Sequence, residues 1–200
     1  MPGEEDLPPP RGIHSFRSMS ITEIKRLNWG CGSWTPEGWI NSDFKDDPGV
    51  NLVADISKGL PIESDSLDYA VSIHSLPEIS YPDLVPTLAE LRRVLKPGGT
   101  LRVSLPDLDL GIAAYQRGDK SYFLIPDDEV KSVGAKFIVQ MLWYGYTKLL
   151  FTTDFITEML LKAGFAKVER CSHRVTCSVW PEITDLDNRE AESLFVEATK

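Results

Sequence analysis

The run Arg26-Leu27-Asn28-Trp29-Gly30-Cys31-Gly32-Ser33-Trp34 constrains the fold of this chain more than any other stretch. Its opening residues read as a short strand, and the glycines at 30 and 32 end that strand in a sharp turn. Two glycines one residue apart let the backbone turn tightly and let a ligand approach without meeting a Cβ. Taken alone, the pair is compatible with a plain turn. The order of the downstream segments narrows the choice. An acidic residue ends the next strand-like run, Trp39-Ile40-Asn41-Ser42-Asp43, and a second ends the run from Val50 to Asp55. Then come Ser66-Leu67-Asp68-Tyr69-Ala70-Val71-Ser72-Ile73-His74 and Leu91-Arg92-Arg93-Val94-Leu95-Lys96-Pro97-Gly98-Gly99-Thr100-Leu101.

Over about residues 26–107 this series resembles the class I S-adenosylmethionine-dependent methyltransferases. The phrase Arg93-Val94-Leu95-Lys96-Pro97-Gly98-Gly99, at a helix-to-strand junction, is among the more specific signs of that family. Two further phrases look most similar to small methyltransferases associated with polysaccharide biosynthesis. They are Gly38-Trp39-Ile40-Asn41-Ser42-Asp43 and Leu101-Arg102-Val103-Ser104-Leu105-Pro106-Asp107-Leu108-Asp109. The resemblance implies an α/β, Rossmann-like class I methyltransferase fold: a seven-stranded, mostly parallel sheet flanked by helices, with an antiparallel C-terminal hairpin. It implies S-adenosyl-L-methionine as cofactor and S-adenosyl-L-homocysteine as product. Trp34 stands where many relatives carry a third glycine, and Glu78 where some carry a second histidine.

Two hundred residues suit one domain with a sizeable core. The formal net charge of −9 argues against a general grip on nucleic acid, because phosphate binding needs a basic face. A local basic pocket stays open. No run approaches the roughly 20 apolar residues that span a bilayer. The N-terminus is acidic and proline-rich, the opposite of a basic, apolar signal peptide. The expectation is a cytoplasmic protein without membrane insertion. The cysteines are too few and scattered for a disulfide framework, and no Cys-x-x-Cys or His-rich spacing suggests zinc. Cys31 reads as a small buried residue of the turn, and Cys171 and Cys177 as ordinary strand and loop residues.

Residues 1–19 read as a flexible arm, with a short helix from Ile13 to Ile24 capped by Ser20 or Thr22. Residues 20–200 read as one methyltransferase domain with an insert or lid at about 118–150. From Gly30 to Asp43 there is no room for a long crossover helix, so Trp34 and Trp39 are expected to cover the sheet in its place. Strands are expected at Val50–Ala54, Leu67–Ile73 and Thr100–Leu105, and a helix at Tyr81–Lys96 that Pro97-Gly98-Gly99 stops. Pro86 sits uneasily inside that helix and favours a later start. Asp107–Arg117 reads as a helix with Leu108, Ile112 and Tyr115 inward. A helix capped at Thr153-Asp154 runs through Ala163, and Val168–Val175 and Ser193–Thr199 read as the last two strands.

Parallel strands present their carboxyl ends to one edge, where ligands bind. That places Gly30, Asp43, Asp55, His74 and Asp107 on a common rim. The resemblance assigns the ribose hydroxyls to Asp43, the adenine to Asp55 and Ile56, and the methionyl part to Gly30, Cys31 and Gly32, with Asn28 and His74 also at the cofactor. His74 is the catalytic candidate, since a hydroxyl acceptor gains from a base of near-neutral pKa. Asp107 and Asp109 are candidates to orient His74, hold a sugar hydroxyl or ligate a divalent metal, although two such carboxylates are weak grounds for metal. Asp107 also suits a helix cap. Tyr115, Trp143, Tyr144 and Tyr146 read either as stacking surfaces for a sugar or as the stripe of a core helix. Lys148, His173 and Arg174 are further polar candidates.

The expected activity is methylation of a sugar hydroxyl on a glycan or polysaccharide precursor. A phenol or carboxylate methyltransferase is the second reading, and a non-catalytic partner subunit with the same fold is the third. A glycan or small-molecule substrate is expected, no nucleic acid, and the aromatic residues leave a homodimer open.

Overall fold

The structure is a computed structural model that describes residues 24–200. The expected arm over 1–19, and the expected helix from Ile13 apart from its last residue, lie outside the described residues. Among the described residues, seven strands form one sheet: β1 (Arg26–Trp29), β2 (Ile40–Asp43), β3 (Leu52–Val53), β4 (Leu67–Ile73), β5 (Leu95–Pro106), β6 (Lys167–Cys171) and β7 (Ser193–Thr199). Their order is β3-β2-β1-β4-β5-β7-β6. The first five pair in parallel, and β7 runs antiparallel between β5 and β6. The sheet therefore matches the expected plan, closing hairpin included. The order reverses between β1 and β4, so the loops leaving those strands diverge and open a crevice at their carboxyl ends.

Among the described residues there are four α-helices: α1 (Tyr81–Val94), α2 (Leu108–Arg117), α3 (Val133–Leu142) and α4 (Thr153–Lys162). Helices α1 and α4 pack on the sheet, and α2 and α3 pack on each other. Residues of β4 alternate between two apolar clusters, Ala70 joining one, Tyr69 and Val71 the other. On the first face Leu84, Leu88 and Leu91 of α1 and Ile156 and Leu160 of α4 are fully buried. Their spacing lays one stripe along each helix, and each leucine stabilises the fold by about 1.5–3 kcal/mol. Asp83 in the first turn of α1 and Arg92 and Arg93 in its last turn suit the helix dipole.

On the second face an irregular segment takes the place of a helix. Trp39 meets Tyr69 edge-on at 5.5 Å, and Ile183 and Leu186 complete the cluster. Trp39 thus covers the sheet as expected. Trp34 does not: it is exposed, held in the glycine turn by its N–H to the Cys31 carbonyl at 3.0 Å. The segment is pinned by Arg102, fully buried on β5. Its guanidinium donates to both oxygens of Asp187 (2.7 and 2.5 Å) and to Glu197 Oε1 (2.7 Å). It also donates to the carbonyls of Ser172 (3.0 Å) and Val175 (3.2 Å). Burial by itself would lower the Arg102 pKa, but the two carboxylates outweigh it and hold the pKa above its ordinary value.

Several expected boundaries shift. Helix α1 ends at Val94, and β5 begins at Leu95 instead of Thr100. Leu67 pairs with Leu95 and Tyr69 with Thr100, so Lys96 to Gly99 bulge out between paired residues and do not separate helix from strand. Helix α1 begins at Tyr81 with Pro86 inside it, because the buried leucine stripe outweighs one missing helix hydrogen bond. Strand β3 is shorter than Val50–Ala54, and β6 stops at Cys171 where the chain bends away. Thr152, not Thr153, caps α4, accepting the Phe155 N–H. In α2 the inward residues are Gly111 and Ala114, while Ile112 and Tyr115 are exposed. Close packing on α3 selects that face: a Cβ on Gly111 would lie 3.1 Å from Met141. Among the described residues, no helix is long and apolar enough to cross a membrane.

Candidate active site

At the carboxyl ends of β1, β2 and β4 lies a cavity of about 880 Å³. Its floor is the glycine turn. The N–H groups of Gly30 and Cys31 both donate to the Ser42 carbonyl, at 2.8 and 3.1 Å. Gly30 has φ +68°, and a Cβ there would come within 2.2 Å of Ser75 Oγ. That hydroxyl donates to the Gly30 carbonyl at 2.8 Å, so the turn after β4 is locked against the turn after β1. Asn28 supports the return of the turn, its Nδ2 donating to the Trp34 carbonyl (2.8 Å) and to Asn41 Oδ1 (3.1 Å).

Asp43 ends β2 with its carboxylate at the cavity wall. Oδ2 accepts the Gly32 N–H at 2.9 Å and Oδ1 the Lys45 N–H at 3.1 Å. Each carboxylate oxygen has two acceptor positions, so capacity for two hydroxyl donors remains. Asp55 caps the 3₁₀ turn Ile56–Lys58, accepting from the Ser57 N–H (3.0 Å) and Ser57 Oγ (2.6 Å). Those hydrogen bonds, with Lys58 adding to them, hold its pKa below the ordinary carboxylate value. Ile56 beside it is buried and lines the same wall. Cys31 lines the cavity as a protonated thiol, its pKa pushed up to about 11 by burial first and then by Asp43.

His74 follows β4 in the left-handed region, φ +54°, with its N–H donating to the Ser104 carbonyl at 2.8 Å. Its ring is engaged at both nitrogens. Arg189 Nη1 stands 3.3 Å from Nδ1, and Ser193 Oγ 2.7 Å from Nε2. A guanidinium can only donate, so Nδ1 is the acceptor and Nε2 carries the hydrogen that Ser193 accepts. Burial first, and the Arg189 charge second, lower the His74 pKa to about 3. The expected base of near-neutral pKa is therefore corrected. His74 is a neutral imidazole whose lone pair is already taken.

The remaining candidates divide. Trp143, Tyr146 and Lys148 line the cavity. Positive φ at Trp143, Tyr144 and Gly145 turns the chain sharply after α3. That turn leaves Trp143, Tyr144 and Tyr146 exposed, which removes the core-helix reading for them. Tyr144 lies away from the cavity and donates to Glu129 at 2.7 Å, and Tyr115 stacks on Phe137 with centroids 5.4 Å apart. Asp107 does not orient His74. It is buried as the cap of α2, accepting from Asp109 N–H (2.9 Å) and Leu110 N–H (3.3 Å) and pairing with Arg170 at 3.2 Å. Asp109 is exposed in the first turn of α2. His173 pairs with Glu190, and the Arg174 N–H donates to Asp187.

Sequence reasoning missed Ser75, Asn188, Arg189 and Glu192, all at the cavity. Arg189 sits 5.9 Å from the Trp143 ring, 3.3 Å from His74 and 3.8 Å from Glu192. Burial raises the Glu192 carboxyl above its ordinary value, with Arg189 opposing. Asn188, Arg189 and Glu192 come from the segment before β7, which has neither period nor motif, whereas Ser75 follows β4. The polar run Asp185 to Glu192 beside a buried strand was the one signal available.

Residues 40–103 match a family model described as a methyltransferase domain. No curated protein matches the chain. Among solved structures, the chain is similar to a SAM-dependent methyltransferase from Archaeoglobus fulgidus, 12% identical, covering 88% of this chain and 86% of that one at a TM-score of 0.54. It is similar to an S-adenosylmethionine-dependent methyltransferase from Mesorhizobium loti, 18% identical, covering 88% and 91% at a TM-score of 0.50. A SAM-dependent methyltransferase from Thermotoga maritima is 21% identical, with 73% of this chain and 62% of that one covered at a TM-score of 0.45. The chain thus spans less than two thirds of that relative's length. The domain match over part of the chain and the fold agree: the chain has the Rossmann-like fold of the S-adenosylmethionine-dependent methyltransferases it is similar to.

Proposed function

We propose that this chain binds S-adenosylmethionine along the wall formed by Asn28, Gly30, Cys31, Gly32, Asp43, Asp55 and Ile56, and transfers its methyl group to a sugar hydroxyl. The observation that carries the cofactor reading is the succession of strand ends. The β1 turn, Asp43 after β2 and Asp55 after β3 stand on one side of one cavity. The donors fit the group. Asp43 keeps acceptor capacity for a pair of hydroxyls, Ile56 offers an apolar surface to a flat ring, and the backbone at Gly32 faces open space. When bound, S-adenosylmethionine would supply a sulfonium methyl carbon open to in-line attack, with S-adenosylhomocysteine as the leaving thioether.

The chain's own work is alignment, desolvation and proton acceptance. Ser75 and Asn28 fix the floor of the cavity. His74 is a positioning residue, which holds Arg189 and Ser193 at the acceptor end. Glu192, the carboxylate at that wall, takes the proton of a hydroxyl acceptor in place of His74. The aromatic faces of Trp143 and Tyr146 at the mouth support a sugar, whose ring faces stack on aromatic surfaces. Arg189 and Lys148 at the same mouth favour a second reading, a small acceptor that carries a carboxylate.

Labelled-methyl transfer from S-adenosylmethionine to neutral sugars, acidic sugars and aromatic carboxylates separates these readings. Transfer to sugars, lowered at least tenfold by Trp143→Ala and by Glu192→Gln with cofactor affinity kept, is the expected result. Transfer only to non-sugar carboxylates would overturn the sugar assignment.

A further inference from the structure

We propose that Cys171 and Cys177 form a redox-active dithiol, which closes to an intramolecular disulfide by exchange with a small-molecule disulfide of the oxidised-glutathione class. Cys171 ends β6 and is half-buried, while Cys177 is exposed. Their sulfurs lie 3.4 Å apart, with the Cys171 thiol donating to Cys177 Sγ. The sulfurs need to close by only about 1.4 Å to reach the S–S bond length of about 2.05 Å.

The turn between them is fixed from both sides. The Val175 N–H donates to the Ser172 carbonyl at 3.1 Å, and Arg174 has φ +55°. Arg102 holds the Ser172 and Val175 carbonyls from beneath, and the Cys177 N–H donates to Glu197 Oε2 at 2.9 Å. Each sulfur is therefore delivered by backbone that the buried ion cluster pins to the sheet. Glu197 lies within 4.8 Å of both sulfurs, but its oxygens serve Arg102 (2.7 Å) and Cys177 N–H (2.9 Å). That leaves two sulfurs, too few donors for a structural metal.

The two thiols differ in a useful sense. Burial first, and then the hydrogen bond to Cys177, push the Cys171 thiol up to about 12. The exposed Cys177 is the attacking group. Its thiolate attacks one sulfur of the small disulfide, forming a mixed disulfide and releasing one small thiol. Cys171 then loses its proton to solvent and attacks Cys177 Sγ, and the second small thiol leaves. Two protein thiols are oxidised to one disulfide, and the small disulfide is reduced to two thiols. The ring so closed stands at the start of the segment that leads to Asp187, Asn188, Arg189 and Glu192, so oxidation tethers the base of that cavity wall.

The test equilibrates the full chain in mixtures of reduced and oxidised glutathione, quenches with acid, alkylates the remaining thiols and maps peptides by mass. Native protein is expected to pass from its three free thiols to one, at Cys31, without retaining glutathione. Cleavage after Arg174 should release two peptides joined through Cys171 and Cys177. Cys171→Ser should instead hold a glutathione adduct on Cys177, and Cys177→Ser should react far more slowly than either. Persistent glutathione on Cys177 of the native chain, with Cys171 free, would overturn the proposal. So would Cys171 and Cys177 both remaining free in a mixture that fully modifies the Cys171→Ser variant.

Discussion

Gly30 carries two constraints at once: φ of +68°, and a Cβ position only 2.2 Å from Ser75 Oγ. Gly30→Ala should cost about 1–3 kcal/mol of stability and weaken S-adenosylmethionine binding, both measured on the purified variant. Adding Ser75→Gly should recover only part of the loss, since it removes both side-chain atoms of the collision and leaves the backbone strain. Full recovery would show that strain plays no part. His74 carries a different signature. Its pKa falls from 6.5 to about 3 on folding, so the unfolded chain binds the proton more tightly. Stability should then drop as pH falls from about 6.5 towards about 3, by at most about 1.4 kcal/mol per pH unit. Urea unfolding across that window should be flatter for His74→Gln, and parallel profiles would contradict the assigned burial. The position of His74 was legible as the end of a buried strand. Its chemistry was not, because Arg189 and Ser193 are 115 and 119 residues away in sequence.

Among the elements, those whose stability comes from their own pattern were legible, and those shaped by a neighbour were not. Strand β4, helix α1 and strand β7 carry unbroken apolar patterns and lie close to their expected ranges. Helix α2 has two plausible faces, and contact with Met141 and Phe137 of α3 decides for Gly111. The start of β5 was hidden because a bulge that carries Pro97 and Gly98 resembles a helix stop followed by a loop. The segment from Ser172 to Glu192 is held by one buried arginine, and no periodicity announces that. Arg102→Ala would leave Asp187 and Glu197 buried without a counter-charge, at a cost of about 3–5 kcal/mol. For a chain of this size that corresponds to a fall in Tm on the order of 10 °C. A loss below about 1 kcal/mol would mean that the segment is held mainly by Trp180, Ile183 and Leu186.

For the molecule as a whole, the mostly parallel sheet with its antiparallel closing strands was anticipated through the resemblance carried by residues 26–107. The acceptor end could not, because its residues come from the turn after α3 and the segment before β7, which meet only in the folded chain. The net charge of −9 leaves the cavity mixed, with Asp43, Asp55 and Glu192 facing Lys45, Lys148 and Arg189. Such a site suits a cofactor that carries both signs of charge more than a polyanion. The decisive measurement is calorimetric titration of the chain with S-adenosylmethionine and S-adenosylhomocysteine. Saturable binding of both, weakened at least tenfold by Asp43→Ala with the fold intact, is the predicted result. No heat at millimolar ligand, or binding indifferent to Asp43→Ala, would contradict the placement of the cofactor on this wall.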